Sequence, residues 1–368
     1  MTRVAGARTE EQRLRDLEKI RKYRELESQT RSLAESGTYG AVLHHLTTEL
    51  LTLNPEYYTI WNLRRRCLIS SFLTDPAAAE QEQPNIDGQA EPRYQQPDRT
   101  CAAVLQSELA FTIPLLMGFP KCYWIWNFRQ WILSQAILRL TVSAARSIWE
   151  TELGLTSKML SKDQRNFHAW GYRRIVVAKL ESVELQGKSM AEDEFAYTTR
   201  MIRRNLSNFS AWHYRSKTIP RLLQERGVGP DMRAAFLAEE LDLVREGLNV
   251  GPEDQSLWYY HKFLMLQIID AGGPQSIIAH DMDVREKAAY VRREIDEIKD
   301  LLDDYPAVKW IYEALLEYTL VLEQQLEREE FGGRGDVKAW LNKLRALDPM
   351  RTGRWNDLER QTGRATEE

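Results

Sequence analysis

The sequence predicts an all-α fold, an α–α superhelix in which helical hairpins stack into a crescent-shaped solenoid. Three observations predict it. Of 368 residues, 11 are tryptophan against only 19 glycines and 13 prolines, and glycine and proline punctuate strand-rich and loop-rich folds. A tryptophan-centred motif recurs in tandem, the mark of a repeat architecture. Around each copy the apolar residues fall at helical spacing, as in Trp61, Arg64, Leu68 and Phe72.

Taken in order, residues 10–35 read as a charged, amphipathic leading helix, with Ser36-Gly37 as its stop. Residues 37–330 hold five to six helical-hairpin repeats. Their motif tryptophans are Trp61, Trp126, Trp170, Trp212 and Trp258. Three residues earlier stands an aromatic (Tyr58, Tyr123, Phe167, Phe209; Gln255 in the fifth copy). An apolar residue immediately precedes each tryptophan. Three residues later comes Arg64, Arg129, Arg173 or Arg215, replaced by His261 in the fifth. A weaker sixth copy is centred on Trp310, after Tyr305-Pro306.

The first two tryptophans are separated by 65 residues and the next intervals are 44, 42 and 46. The long interval contains Thr74 to Thr100, rich in Pro, Gln, Ala and Glu, a low-complexity insertion that lengthens a loop at modest entropic cost. The remaining period exceeds the roughly 34 residues of tetratricopeptide repeats and fits the roughly 40–47 of two-helix solenoids. Each motif helix is expected to start at its Pro or Asp, where Pro suits a first turn. A second helix then follows, as in Phe195 to Ile202, Phe236 to Val244 and Val291 to Leu302. Neither helix can bury its apolar stripe alone, so the units must stack. Phe331 to Gly335 reads as a break. A closing helix, Lys338 to Leu347, is stopped by Asp348-Pro349 within a C-terminal closing segment, 336–368. The whole of 1–368 is expected to form a single α-solenoid domain.

Charge and cysteine content narrow the function classes. With 50 Lys and Arg against 54 Asp and Glu, net charge is −4, which gives no general attraction to nucleic acid or anionic membrane. Three cysteines, Cys67, Cys101 and Cys122, make no disulfide framework and suit a reducing compartment. The N-terminus is charged rather than signal-like, and no uninterrupted apolar run approaches the roughly 18 residues of a membrane span. A cytoplasmic location is expected.

The tryptophans and arginines are expected to serve packing first. The variable motif positions carry more chemistry. In a stack of hairpins every motif helix points the same way, so their N-termini line one rim, where free N–H groups and the positive dipole end suit an anion. Lys121 and Tyr123 in repeat two and Arg165 and His168 in repeat three put two cations, a hydroxyl and an imidazole on that rim. Other repeats place Glu56, Ser207 and Glu253 there. A diphosphate-sized anion would fit; a merely solvated basic rim is the competing expectation. Cys122 beside Lys121 raises a reactive thiol, against the simpler expectation of a buried one. No metal-ligand spacing is visible among the six histidines, and there is no P-loop, Gly-x-Ser-x-Gly or Rossmann fingerprint.

The tandem motif Pro-x-x-aromatic-x-x-Trp-x-x-Arg, read over Asn54 to His261, resembles the repeat of protein prenyltransferase α subunits. Within that family Arg204 to Ser216, Asp254 to His261 and Asp348 to Arg351 resemble the branch that acts on Rab GTPases more than the subunit shared by farnesyltransferase and geranylgeranyltransferase type I. The resemblance implies an obligate heterodimer with a β subunit that holds Zn2+, and a chain inactive alone. It implies geranylgeranyl diphosphate as substrate, and Rab GTPases presented by a Rab escort protein as acceptors. The family's diphosphate-holding Lys, Tyr and His correspond to Lys121, Tyr123 and His168, with no metal or cofactor bound by this chain. A second family Tyr corresponds to Phe167, and Cys122 and Asn127 also depart from the commoner residues. The shared-type α subunit and a non-catalytic helical-repeat scaffold are the alternatives.

Overall fold

The computed structural model describes residues 9–73, 96–270, 278, 282–323 and 334–364. Among them there are fifteen α-helices and no strands. The single domain expected over 1–368 divides into two compact units, Met1–Lys188 and Ser189–Glu368.

The first unit contains α1 (Glu10–Glu35), α2 (Ala41–Leu53), α3 (Tyr58–Cys67), α4 (Gln96–Gly118), α5 (Tyr123–Arg139), α6 (Val142–Lys162) and α7 (Phe167–Leu180). The second contains α8 (Ala191–Arg204), α9 (Phe209–Glu225), α10 (Pro230–Val250), α11 (Gln255–Ile269), α12 (Val284–Asp304), α13 (Lys309–Val321), α14 (Arg334–Leu347) and α15 (Thr352–Arg364). The leading helix spans its expected residues. A capping box between Thr9 and Gln12 opens it. Gly37 ends it with φ +72°, a left-handed backbone that disfavours a side chain.

Hairpins pair α2 with α3, α4 with α5, and α6 with α7; in the second unit α8 pairs with α9, α10 with α11, α12 with α13, and α14 with α15. The motif helix is therefore the second helix of each hairpin, not the first. Its Pro or Asp lies in the connecting turn rather than in the first helical turn. The reason is visible in the tryptophans. Each indole Nε1–H donates back to the carbonyl six residues earlier: Trp61 to Pro55 (2.8 Å), Trp126 to Pro120 (3.0 Å), Trp170 to Gln164 (2.9 Å), Trp212 to Leu206 (2.7 Å) and Trp258 to Pro252 (2.7 Å). One residue thus fills the core and satisfies a turn carbonyl. All five rings are buried.

The sixth copy obeys the same rule in a different register. Tyr312, not Trp310, donates to the carbonyl six residues earlier, that of Pro306, at 2.9 Å. Trp310 lies two positions before it, edge-on to Tyr259.

The motif arginines join hairpins. Arg64 on α3 donates to Glu108 on α4 through Nε (2.6 Å) and Nη2 (2.8 Å). Arg129 binds Glu152 on α6 through the same two nitrogens, and Arg215 binds Glu240 on α10 at 2.7 and 2.6 Å. Each arginine's third nitrogen turns back to hydroxyls on the first helix of its own hairpin: Thr47 and Thr48, Thr112, Thr198 and Thr199. Arg173 makes the corresponding bonds to Thr156 and Ser157. A buried guanidinium is tolerable only when its donors are met this completely.

Residues 74–95 of the expected insertion and 331–333 of the expected break lie outside the described residues. The insertion's last residues, 96–100, belong to α4, and Arg334 already begins α14. Thr100–Gly118 has the length and mean hydropathy, 1.4, of a membrane-crossing helix, although Gln106, Ser107 and Glu108 interrupt its apolar residues as the sequence reading requires. In the fold it packs on α5, and its Glu108 and Thr112 receive Arg64 and Arg129.

Candidate functional site

The site is built where α5 and α7 begin. The turns before them are tied together. The Asn166 amide donates from Nδ2 to the Pro120 carbonyl at 3.1 Å, while its Oδ1 caps α7 by accepting from the N–H groups of His168 (3.0 Å) and Ala169 (3.2 Å). One turn earlier, the Cys122 thiol donates to the Pro55 carbonyl at 3.4 Å. The first turns of α3, α5 and α7 are thus held side by side, as the stack requires.

On this scaffold Lys121 is exposed in the turn before α5, and Tyr123 is its first residue, 58% exposed. His168, the second residue of α7, is 9% exposed. Its ring meets Tyr123 edge-on, with centroids 4.3 Å apart at 81°. Phe167 covers the imidazole at 4.0 Å. Burial, and then the Lys121 ammonium, hold His168 below the ordinary histidine value, while Glu56 opposes them. These three predicted residues share one location. Arg165 is exposed in the turn before α7, at the position equivalent to Lys121, where its N–H donates to Asp163 Oδ1 at 3.1 Å.

An imidazole, a phenol and an ammonium beside the first turn of α5, which no side chain caps, are groups of the kind that bind an anion. Glu56 is the residue that sequence reasoning undervalued. Noted only as a non-cationic rim position, it lies close enough to oppose Lys121's effect on His168. Its position five before Trp61, matching Lys121 before Trp126, was the available signal.

The reactive-thiol expectation fails. Cys122 is buried, and desolvation raises its pKa in spite of neighbouring backbone donors. Among the described residues no three His, Cys, Asp or Glu side chains are grouped to hold a metal. In the second unit a groove of about 630 Å³ between α9 and α11 is lined mainly by rings, including Phe209, Trp212, Tyr259 and Phe263. It has apolar volume but no comparable cluster of charge.

Helical hairpins keyed by Trp and Arg, with Lys121, Tyr123 and His168 gathered where the second and third motif helices begin, define a helical-repeat protein. Residues 44–70, 105–136, 149–180, 191–222 and 237–268 match the family described as "Protein prenyltransferase alpha subunit repeat". The chain belongs to the protein prenyltransferase α-subunit family. It is similar to the geranylgeranyl transferase type-2 subunit alpha of Saccharomyces cerevisiae, 32% identical over 95% of both chains. It also resembles the protein of that name from Dictyostelium discoideum, 31% identical over 97% of both. Among solved structures, the Candida albicans protein geranylgeranyltransferase-I complexed with GGPP matches 91% of this chain and 89% of its own with a TM-score of 0.57, at 17% identity, a likeness of fold.

Proposed function

We propose that this chain is the α subunit of a type-2 geranylgeranyltransferase. With a zinc-containing β subunit it transfers the geranylgeranyl group of geranylgeranyl diphosphate to C-terminal cysteines of Rab GTPases, which an escort protein presents in the cytoplasm. The chain is inactive alone. The observation that carries this reading is the meeting of Lys121, Tyr123 and His168 at the first turns of α5 and α7, in a chain whose near full-length relatives bear that enzyme's name.

The role of these residues is to hold the leaving group. As the carbon–oxygen bond of the prenyl diphosphate breaks, negative charge grows on the departing diphosphate. Lys121 supplies a fixed positive charge, the Tyr123 hydroxyl donates a hydrogen bond, and Arg165 extends the positive rim. His168 enters neutral and gains a proton more readily once the anion arrives, because a nearby negative charge favours the imidazolium. Stabilisation that grows with the developing charge is what accelerates the step.

The test is co-expression with the organism's β subunit, followed by transfer to a Rab protein with and without escort protein. Lys121→Ala in an intact heterodimer is expected to lower turnover about a hundredfold. Unchanged turnover and diphosphate affinity would remove Lys121 from the site. Escort-independent prenylation of CaaX peptides would replace the type-2 reading with the shared-subunit one.

A further inference from the structure

Arg65 follows the ladder residue Arg64 on α3, yet its surroundings are the opposite. Arg64 has the edges of its guanidinium met by Glu108 and the α2 threonines. Arg65 is half-buried between α3 and α5, with its guanidinium 5.6 Å from the Phe128 ring centre and 5.8 Å from that of Trp131. Among the described residues its one hydrogen bond runs from Nη1 to the neutral Asn62 Oδ1, at 2.8 Å. Its Nε is buried and lacks an acceptor. Burial lowers its pKa with no carboxylate to offset the effect, whereas Arg129, Arg215 and Arg245, which face glutamates, are shifted upward.

A desolvated cation without a counter-charge is unfavourable, and the protein keeps this one fixed against two rings. Arginine so held is well suited to anchor an interface, because its planar fork fits a carboxylate. Nη1 is taken by Asn62 and Nε is closed off inside the fold, so Nη2 is the donor left to a partner. Along α3 and the π-helical turn that continues it, Leu68–Phe72, Tyr58 (54% exposed), Asn62, Arg65 and Ile69 (49% exposed) follow one another at helical spacing, which supplies apolar contact around the charge.

We infer that Arg65 is a docking anchor whose guanidinium, through Nη2, receives an aspartate or glutamate side chain of the second subunit, seated on the Tyr58–Ile69 stripe. This rests on the proposal that the chain works as one half of a prenyltransferase heterodimer.

Two variants test it. Arg65→Met keeps a long stem over Phe128 and Trp131 and removes the fork. Arg65→Lys keeps the charge without the fork. Each is co-expressed with the β subunit, and the heterodimer dissociation constant is measured at low and high salt. The thermal midpoint of the full chain alone is measured alongside. Arg65→Met is expected to weaken the heterodimer about tenfold or more. Arg65→Lys should recover part of the loss, and the wild-type affinity should fall more steeply with salt than that of Arg65→Met. The variant chain alone should melt at the wild-type temperature or above it.

An unchanged dissociation constant overturns the proposal. So does a lower melting temperature for Arg65→Met alone, which places the carboxylate within this chain. Weaker pyrophosphate binding at unchanged heterodimer affinity would assign Arg65 to the substrate anion instead. Failure of the wild-type chain to bind a prenyltransferase β subunit is read without any variant; it removes the functional reading, and the anchor with it.

Discussion

His261 Nε2 lies 2.7 Å from Glu294 Oε1, in the place where three other repeats set an arginine on a glutamate. The guanidinium has not left the site. Arg245 donates to the same carboxylate from Nε at 3.2 Å, and also from Nη2. Arg245 stands 16 residues before His261, the spacing at which Thr48 precedes Arg64 and Thr199 precedes Arg215. The charge has moved from the motif helix to the first helix of the hairpin, and His261 uses its other nitrogen on the Tyr318 hydroxyl at 2.9 Å.

An exchange of this kind predicts compensation. His261→Arg alone would put two guanidiniums against one buried carboxylate and should destabilise the chain. Arg245→Thr alone should remove a charge-assisted bond. The double variant recreates the arrangement of Arg215 with Thr199 and Glu240. It should therefore be more stable than the sum of the single changes by about 1 kcal/mol or more. A double-mutant cycle by denaturant unfolding measures this, and strict additivity would refute the exchange.

Glu294 also carries a pH signature. Bonds from His261 and Arg245 overcome the burial that would raise it and hold its pKa down at about 2, against an ordinary value of 4.5. The folded pKa is depressed, so its contribution is present in full above 4.5 and is lost as pH falls toward 2. The shift corresponds to roughly 3 kcal/mol. Unfolding free energies of wild type and Glu294→Gln should differ most near pH 6 and converge as pH drops through that window. A difference independent of pH would disprove the assignment.

The Arg215–Glu240 pair tests the ladder itself. Both side chains are buried, and the Tyr260 hydroxyl joins them on Glu240. Removing one partner leaves the other's charge unpaired in the core, so Glu240→Gln and Arg215→Met should each cost about 3–5 kcal/mol. Replacing both should cost clearly less than their sum. Chemical denaturation of the two singles and the double decides it.

The arginines of this ladder were legible in the sequence and their carboxylates were not. Arg64 meets a glutamate 44 residues on, Arg129 one 23 on and Arg215 one 25 on, because the intervening loops differ in length. A fixed-offset search along the chain cannot find such partners. The pattern that survives is helical: Glu108 and Thr112, Glu152 and Thr156, Glu194 and Thr198 stand four apart. In the first two pairs the glutamate takes the preceding repeat's arginine and the threonine takes its own. The rim was legible for a related reason. Lys121 and Tyr123 stand five and three residues before a motif tryptophan, and the stack repeats that geometry. Arg65 was hidden among three consecutive arginines, because only the packing of α3 on α5 shows which of them is half-buried without an acid.

The sixth repeat gives the sharpest test of register. If Tyr312 takes the tryptophan's place, its hydroxyl is what satisfies the Pro306 carbonyl. Tyr312→Phe keeps the ring in the core and removes that bond, so it should cost about 1 kcal/mol. Trp310 sits at the position equivalent to His168 rather than to Trp170. It is only partly buried, edge-on to Tyr259 and with Lys309 over its ring. Trp310→Phe keeps an aromatic there and breaks no turn bond, so it should cost less than Tyr312→Phe. The two variants compared by thermal unfolding discriminate the registers. A larger loss at Trp310 would return the sixth motif to the register that its tryptophan suggests.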